Sequence, residues 1–419
     1  MRFLTALLMS LAISSVHGQA NQAVLAQAKA NQDPLLATLK DLVAIESGSR
    51  DGEGLAKLAA LIAERFRALG GEVELLPATD VYKMEDTPAS IGQMVRATFR
   101  GKGTKKIMLI GHMDTVYLKG MIAKQPFRVD GDRAYGLGIA DDKQGVAVIL
   151  HTVAMLQKLG FRDYGTLTAL INADEEISSP GSRATLTRLG AEHDATLSFE
   201  GSRIEQDKLA LATAGIASVV LKVHGKASHA GAAPHLGVNA LYELSHQILQ
   251  MRDLSDPATG VKMNWTISHA GTNRNVIPAL AEATADVRVL RVSDYDGVEQ
   301  KVRERIKQQL IPEARVEMTF ERRRPPLESH AASKAMGAHA QAIYKELGKD
   351  LVVDAVAEGG GTDAAFAALK TQNAVVERFG LRGFGAHSND NEYVMISSIE
   401  PRLYLAARMI MDVAQGKVR

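Results

Sequence analysis

The sequence predicts an α/β fold interrupted by a smaller α+β unit. Two observations carry this. From residue 96 to 213, short apolar runs with strand character alternate with longer stretches of helical periodicity. Between 214 and 324 the order becomes strand, helix, strand, strand, helix, strand, which matches the ferredoxin-like arrangement. A third observation concerns chemistry: His and acidic residues cluster just after the apolar runs, where strand ends of open α/β sheets face a ligand crevice.

Residues 1–20 read as a processing segment. Arg2 supplies the positive start, Phe3 to Ile13 is apolar but too short to span a bilayer, and small-residue cleavage sites follow near Gly18 and Ala20. An exported protein, periplasmic or secreted, is expected, with no membrane-spanning helix elsewhere. Residues 34–70 have helical spacing, and Glu72–Leu76 reads as a strand. Residues 79–94 are polar and contain Pro88, as a loop would.

Lys106–Ile110 is an apolar run that reads as a buried strand, followed by His112 and Asp114. Asp141 precedes a helical run, Val146–Leu156, stopped by Gly160. Glu175-Glu176 follows the strand-like Thr166–Ile171, Glu200 follows Ala195–Phe199, and His387 lies in Phe384-Gly385-Ala386-His387-Ser388. Singly, each has an ordinary reading: Asp141-Asp142 as a helix cap, Glu175-Glu176 as a solvated turn, either His as a hydrogen-bonded loop residue. Together, two His and several carboxylates at strand-end loops predict a two-metal site. Imidazole and carboxylate suit zinc, and two neighbouring metals need a bridging carboxylate. A further acid is then needed as general base, and another to orient an imidazole.

In the second unit the expected elements are Ala217–His224, Val238–Leu254, Met263–His269, Ala281–Leu290, Asp294–Leu310 and Arg315–Glu321. The first fold then resumes near 325 and supplies His387. The chain of 419 residues carries a net charge of +1, which gives no electrostatic footprint for nucleic acid. It has no cysteine, so disulfides, thiol catalysis and cysteine-ligated zinc are excluded.

These segments resemble a known family. GHMDTVYLKG, YGLGIADDKQG, INADEE, LSFE, GKASHAGAAPHLGVNAL, NWTI, NVIPA, ADVR, GGGTDAAFAAL, GFGAHS and RLYLAARMIMD follow the order and spacing of the co-catalytic zinc carboxypeptidases and aminoacylases. Within these the sequence is most similar to the glutamate carboxypeptidases of the carboxypeptidase G type, from about residue 30 to the C-terminus. The resemblance implies a catalytic domain with a mixed sheet and flanking helices, made of 21–213 and 325–419. It also implies that 214–324 is a dimerisation domain, a monomeric lid being the alternative.

By the same resemblance, His112 and Glu200 would ligate one Zn2+ of a subunit, Glu176 and His387 the second, and Asp141 both. Glu175 would be the general base and Asp114 would hold His112. His229 would stabilise the oxyanion in the partner subunit's site. Asn275 and Arg288 would hold the terminal carboxylate of a small-molecule or short-peptide substrate, and Gly360 would let the backbone approach it. Lys208 and Arg324 would meet a glutamate side chain, although both could be solvated surface charges. Ala210 stands where a hydroxyl residue is expected, Ile177 where a Lys commonly follows the Glu pair, and Leu137 also departs. The expected activity is hydrolysis of the amide before a C-terminal glutamate in folates and other N-acyl glutamates. The alternatives are an N-acyl amino acid hydrolase or dipeptidase of different preference, and an export-bound binding protein without chemistry.

Overall fold

The computed structural model describes residues 19–418 apart from 358 and 389. The expected processing segment therefore lies almost wholly outside the described residues. A six-stranded mixed sheet runs in the order Glu72–Leu76, Met94–Arg100, Thr166–Asn172, Lys106–His112, Ala195–Ser198, Ala374–Val376. Its first two pairings are antiparallel and the remaining three parallel. Lys106–His112 is buried from its second residue onward, as expected of a central parallel strand with both faces covered. It ends on His112 itself, which pairs with Asn172. The His112 backbone is thus placed by the ladder and not by a loop.

Helices Gln22–Ala30, Gln32–Val43, Gln144–Lys158, Ala331–Glu346 and Ile399–Ala414 contribute to one large apolar core with this sheet. The helical spacing of 34–70 resolves into two helices, Gln32–Val43 and Gly52–Ala68. Asp51 caps the second by accepting from the Gly54 N–H at 3.1 Å. The break between them has a purpose in the packing. Gly48 lies against the Tyr117 backbone carbonyl where a Cβ would collide, and this close approach brings Ser49 beside Asp114.

Residues 215–324 build a separate four-stranded antiparallel sheet, ordered Lys262–Ala270, Leu280–Val289, Gly215–His224, Arg315–Arg324. This order, with two crossing helices, is ferredoxin-like. Gly215–His224 alternates strictly, placing Ala217, Val219, Leu221 and Val223 in a second core with Leu244, Val298 and Val302. Each such Val or Leu contributes about 1.5–3 kcal/mol when fully buried. The helix expected over 238–254 is Ala240–Gln250, begun by Asn239, whose side chain accepts from the Leu241 and Tyr242 N–H groups. The entry and exit of this unit meet: the Thr213 N–H donates to the Leu327 carbonyl at 3.1 Å.

A candidate two-metal site

The carboxyl ends of three parallel strands and two loops converge on one cluster. His112 closes its strand, and Glu175 and Glu176 lie in a short turn after Thr166–Asn172. Glu200 follows Ala195–Ser198. His387 adopts a left-handed conformation (φ 64°) two residues after Gly385. The ligand atoms of His112, Asp141 and Glu200 all lie within 4.8 Å of one another, and so do those of Asp141, Glu176 and His387. Asp141 belongs to both groups, one carboxylate oxygen to each. His112 Nε2 is 3.0 Å from Oδ1 and His387 Nε2 is 3.2 Å from Oδ2. Glu200 lies 3.3 Å from His112 Nε2, and Glu176 3.1 Å from His387 Nε2.

The donor set fits two divalent cations on its own chemistry. Neutral imidazoles and carboxylates are zinc ligands, three per position with one shared. Glu176 Oε1 is buried without a hydrogen-bond partner, an orphan that a cation would satisfy. Burial, and then the neighbouring Asp141 charge, pushes the Glu176 carboxyl up to about 7. That is the response of a site with more buried negative charge than its own residues neutralise.

Asp114 is fully buried and fixes the cluster from below. His112 Nδ1 lies 3.1 Å from the Asp114 backbone carbonyl oxygen and 3.3 Å from its carboxylate, which accepts from the Glu175 and Glu176 N–H groups at 3.0 and 3.1 Å. Ser49 Oγ donates to it at 2.7 Å. One residue thus sets both the imidazole, through its carbonyl and carboxylate, and the turn that carries the glutamate pair.

Glu175 is buried, and burial drives its carboxyl well above the usual range. Arg324 opposes this by ion-pairing with its carboxylate, and also donates to the Glu175 carbonyl. Asp363 stands 3.5 Å from the same guanidinium. Arg324 is therefore a buried partner of Glu175, only 5% exposed, and not a solvated charge. Lys208 is likewise buried and donates to Asp354 at 2.8 Å.

In the Gly359-Gly360-Gly361 run, Gly360 has open space where a Cβ would stand and lines the cavity beside the cluster. Gly361 is the crowded position, packed against Arg324. Arg288 reaches this run by donating to the Gly359 carbonyl at 2.7 Å, while Asp286 holds its other nitrogens. A cavity of about 390 Å³ extends from Asp141 and Glu200 along Gly360, Gly361 and Thr362 to Glu377. Asn275 and His229 stand side by side in two exposed loops: the Ala230 N–H donates to the Asn275 carbonyl at 2.9 Å. His229 Nδ1 accepts from the Gly231 and Ala232 N–H groups, and these bonds stay within its own loop.

Sequence reasoning missed Glu392. Its buried carboxylate accepts from Tyr117 Oη and from the Gly138, Ala140 and Asp141 N–H groups at 2.8, 2.7 and 3.1 Å. It anchors the backbone that presents Asp141. An isolated acid ahead of a short strand carries no local signal of that role.

Comparison with known proteins agrees with this architecture. Residues 108–412 match the model of peptidase family M20/M25/M40. The chain is 46% identical to carboxypeptidase G2 of a Pseudomonas species, covering 94% of this chain and 93% of that one. It is 30% identical to the acetylornithine deacetylase of Shigella sonnei over 61% and 68% of the two chains. Among solved structures, a tripeptidase from Staphylococcus aureus superposes with a TM-score of 0.75 at 20% identity, covering 92% of this chain and 99% of that one. A metallo-carboxypeptidase from Sulfolobus solfataricus gives 0.71 at 16% identity, covering 90% and 98%. The chain belongs to peptidase family M20/M25/M40, among its zinc-dependent carboxypeptidases.

Proposed function

We propose that this carboxypeptidase holds two zinc ions per subunit and releases a C-terminal glutamate from folates and other N-acyl glutamates. The observation that carries the two-ion reading is Asp141, shared between two three-residue groups. The glutamate reading is supported by the motif resemblance to the carboxypeptidase G type.

His112, Glu200 and Asp141 would hold one ion, and Glu176, His387 and Asp141 the other. Bound zinc supplies Lewis acidity, which makes water more acidic and polarises a carbonyl. Glu175 would take the proton of the attacking water and deliver it to the leaving amine nitrogen. Arg324 keeps that carboxylate in place, and Asp114 holds the Glu175 N–H. Arg288, already at the Gly359 carbonyl, would meet the terminal carboxylate with Asn275. The leaving residue would then lie in the cavity along Gly360–Thr362.

One observation favours the second reading, an N-acyl amino acid hydrolase or dipeptidase of different preference. Lys208 is paired with Asp354, Arg324 with Glu175, and Ala210 offers no hydroxyl. A glutamate side chain would have to compete for both cations.

Residues 214–324 would form the dimer interface. The helix Ala240–Gln250 exposes Tyr242 (63%) and Leu249 (60%), and the edge strand Lys262–Ala270 exposes Ile267 (53%). His229, exposed nearby in sequence, would serve the partner subunit's site. The N-terminal pattern supports export to the periplasm or medium, and no described helix is long and apolar enough to cross a membrane.

The deciding experiment is a panel of benzoyl amino acids and folylglutamates on the zinc enzyme. The glutamate reading expects the highest kcat/KM with glutamate as leaving residue. A preference for apolar leaving residues would replace it by the second reading.

A further inference from the structure

A cavity of about 1110 Å³ lies behind Arg324, at the joint between the inserted unit and the main fold. Arg324 forms part of its wall, but His112, Asp141, Glu176, Glu200 and His387 do not. Arg183 is the central cation. Its guanidinium carbon sits 4.0 Å from the Tyr82 ring centroid and 4.9 Å from that of Phe366. It donates to the Ser178 and Arg323 carbonyls at 2.6 and 2.8 Å and to that of Ser179 at 3.3 Å. It has no carboxylate partner among the described residues.

Two further cations, Lys83 and Lys370, line the rim and also lack a carboxylate partner among the described residues. The neighbouring arginines differ: Arg188 is paired with Glu192, Arg322 with Asp296, and Arg323 with Asp86. Arg183 and the two exposed rim lysines, none of them in an ion pair among the described residues, thus outnumber Asp80, the one acid of the lining without an ion-pair partner there, and the remaining walls include Tyr82, Phe366, Leu369 and Pro325.

The two halves of this lining select one class of ligand. A bare inorganic anion would answer the charges and leave the rings and aliphatic walls uncovered. An uncharged apolar molecule would leave a part-buried guanidinium without a counter-charge. A flat ring bearing one carboxylate satisfies both, with its ring against the apolar wall and its charge on the cations. We propose that this cavity is a second binding site, specific for a small aromatic carboxylate, and that its occupancy changes turnover.

The route to the active site is short. Arg183 grips the carbonyls of Ser178, two residues after Glu176, and of Arg323, adjacent to the arginine that pairs with Glu175. A ligand drawing the guanidinium toward itself loads both segments at once. The binding claim is independent of which amide the enzyme cleaves, and only the kinetic readout rests on its being a hydrolase.

Benzoate is the probe, titrated calorimetrically into the zinc enzyme beside benzamide, acetate and inorganic phosphate. Benzoate should bind at least about tenfold more tightly than the other three, since each lacks either the charge or the ring. The double variant Lys83→Glu, Lys370→Glu should weaken benzoate by about tenfold or more while leaving kcat/KM without benzoate unchanged. Benzoate should alter kcat in the wild type and not in the double variant. Arg183→Gln should abolish binding; where it fails to fold, the rim variant alone decides. Benzoate that binds equally to the rim variant, or that inhibits in a purely competitive manner, occupies the catalytic cleft and overturns the proposal. So does phosphate binding as tightly as benzoate, or no benzoate binding at all.

Discussion

Glu392→Gln removes one charge from beneath Asp141 and keeps the side chain's size. The wild-type carboxylate serves four donors, Tyr117 Oη and the Gly138 N–H on one oxygen, the Ala140 and Asp141 N–H groups on the other. A glutamine has one acceptor oxygen, so its NH2 faces one pair. Turned toward Tyr117, the NH2 can be tolerated by the hydroxyl, which has the Ser388 carbonyl as a second partner at 2.9 Å. The Gly138 N–H is then stranded, which costs about 1–3 kcal/mol. The two surviving bonds fall from charge-assisted to neutral, a further loss of about 1–2 kcal/mol. Part of this appears as lost stability and part as a loosened Asp141, with zinc affinity falling about 10–100-fold. Chelator competition at pH 8 measures the affinity and urea unfolding of the zinc-free protein measures the stability. That pH lies above the value of about 7 to which burial raises the Glu392 carboxyl, so the comparison is with the charged form. Wild-type affinity together with wild-type stability would show that the four donors do not depend on the charge, and the anchoring role of Glu392 would be wrong.

Glu175→Gln should lower turnover by about 10²–10⁴-fold or more with zinc content unchanged by metal analysis; loss of zinc would make Glu175 a ligand and not a base. Arg288→Ala should cost about 2–5 kcal/mol in kcat/KM, and amidating the substrate's C-terminus should then add little, whereas additive losses would mean the two groups never meet. Burial, and then Arg65, pull His151 down to about 4, so its neutral form contributes stability above pH 6.5 that is lost as pH falls from 6.5 toward 4. About 2 kcal/mol should go between pH 7 and 5, and chemical denaturation of His151→Gln should show a pH slope shallower by that amount. Refolding His229→Ala with Glu175→Ala should restore about a quarter of wild-type activity if His229 serves the partner's site in a two-fold dimer, and none if each chain uses its own.

What could be read from the sequence was local. Lys106–Ile110 followed by His112, and Thr166–Ile171 followed by Glu175-Glu176, put chemistry at strand ends because an apolar run and its exit are contiguous. The alternation of 217–224 made the second sheet legible for the same reason. Pairings across the chain were not legible. Arg324 and Glu175 are 149 positions apart, and Glu392 and Asp141 are 251 apart. Nothing near Lys208 announces Asp354. Gly361, not Gly360, is the crowded glycine because of the Arg324 side chain, which no local pattern reports. The division of 34–70 into two helices depends on Gly48 meeting the backbone of Tyr117, again a distant contact.

The meeting of the first and last described helices bears on how the chain is made. Gln22–Ala30 packs on Ile399–Ala414, and the Asn21 N–H donates to Tyr404 Oη at 2.8 Å. The large core includes both Val24 and Val413, so it cannot close until the final helix has left the ribosome. The 215–324 sheet draws only on its own stretch and can pair while synthesis continues. The order of folding is therefore inside out along the sequence: the middle is finished first, and the ends wait for each other. A nascent chain truncated before residue 399 should carry a folded middle between two unfolded arms, a state that limited proteolysis of stalled ribosomes would display as one protected central fragment.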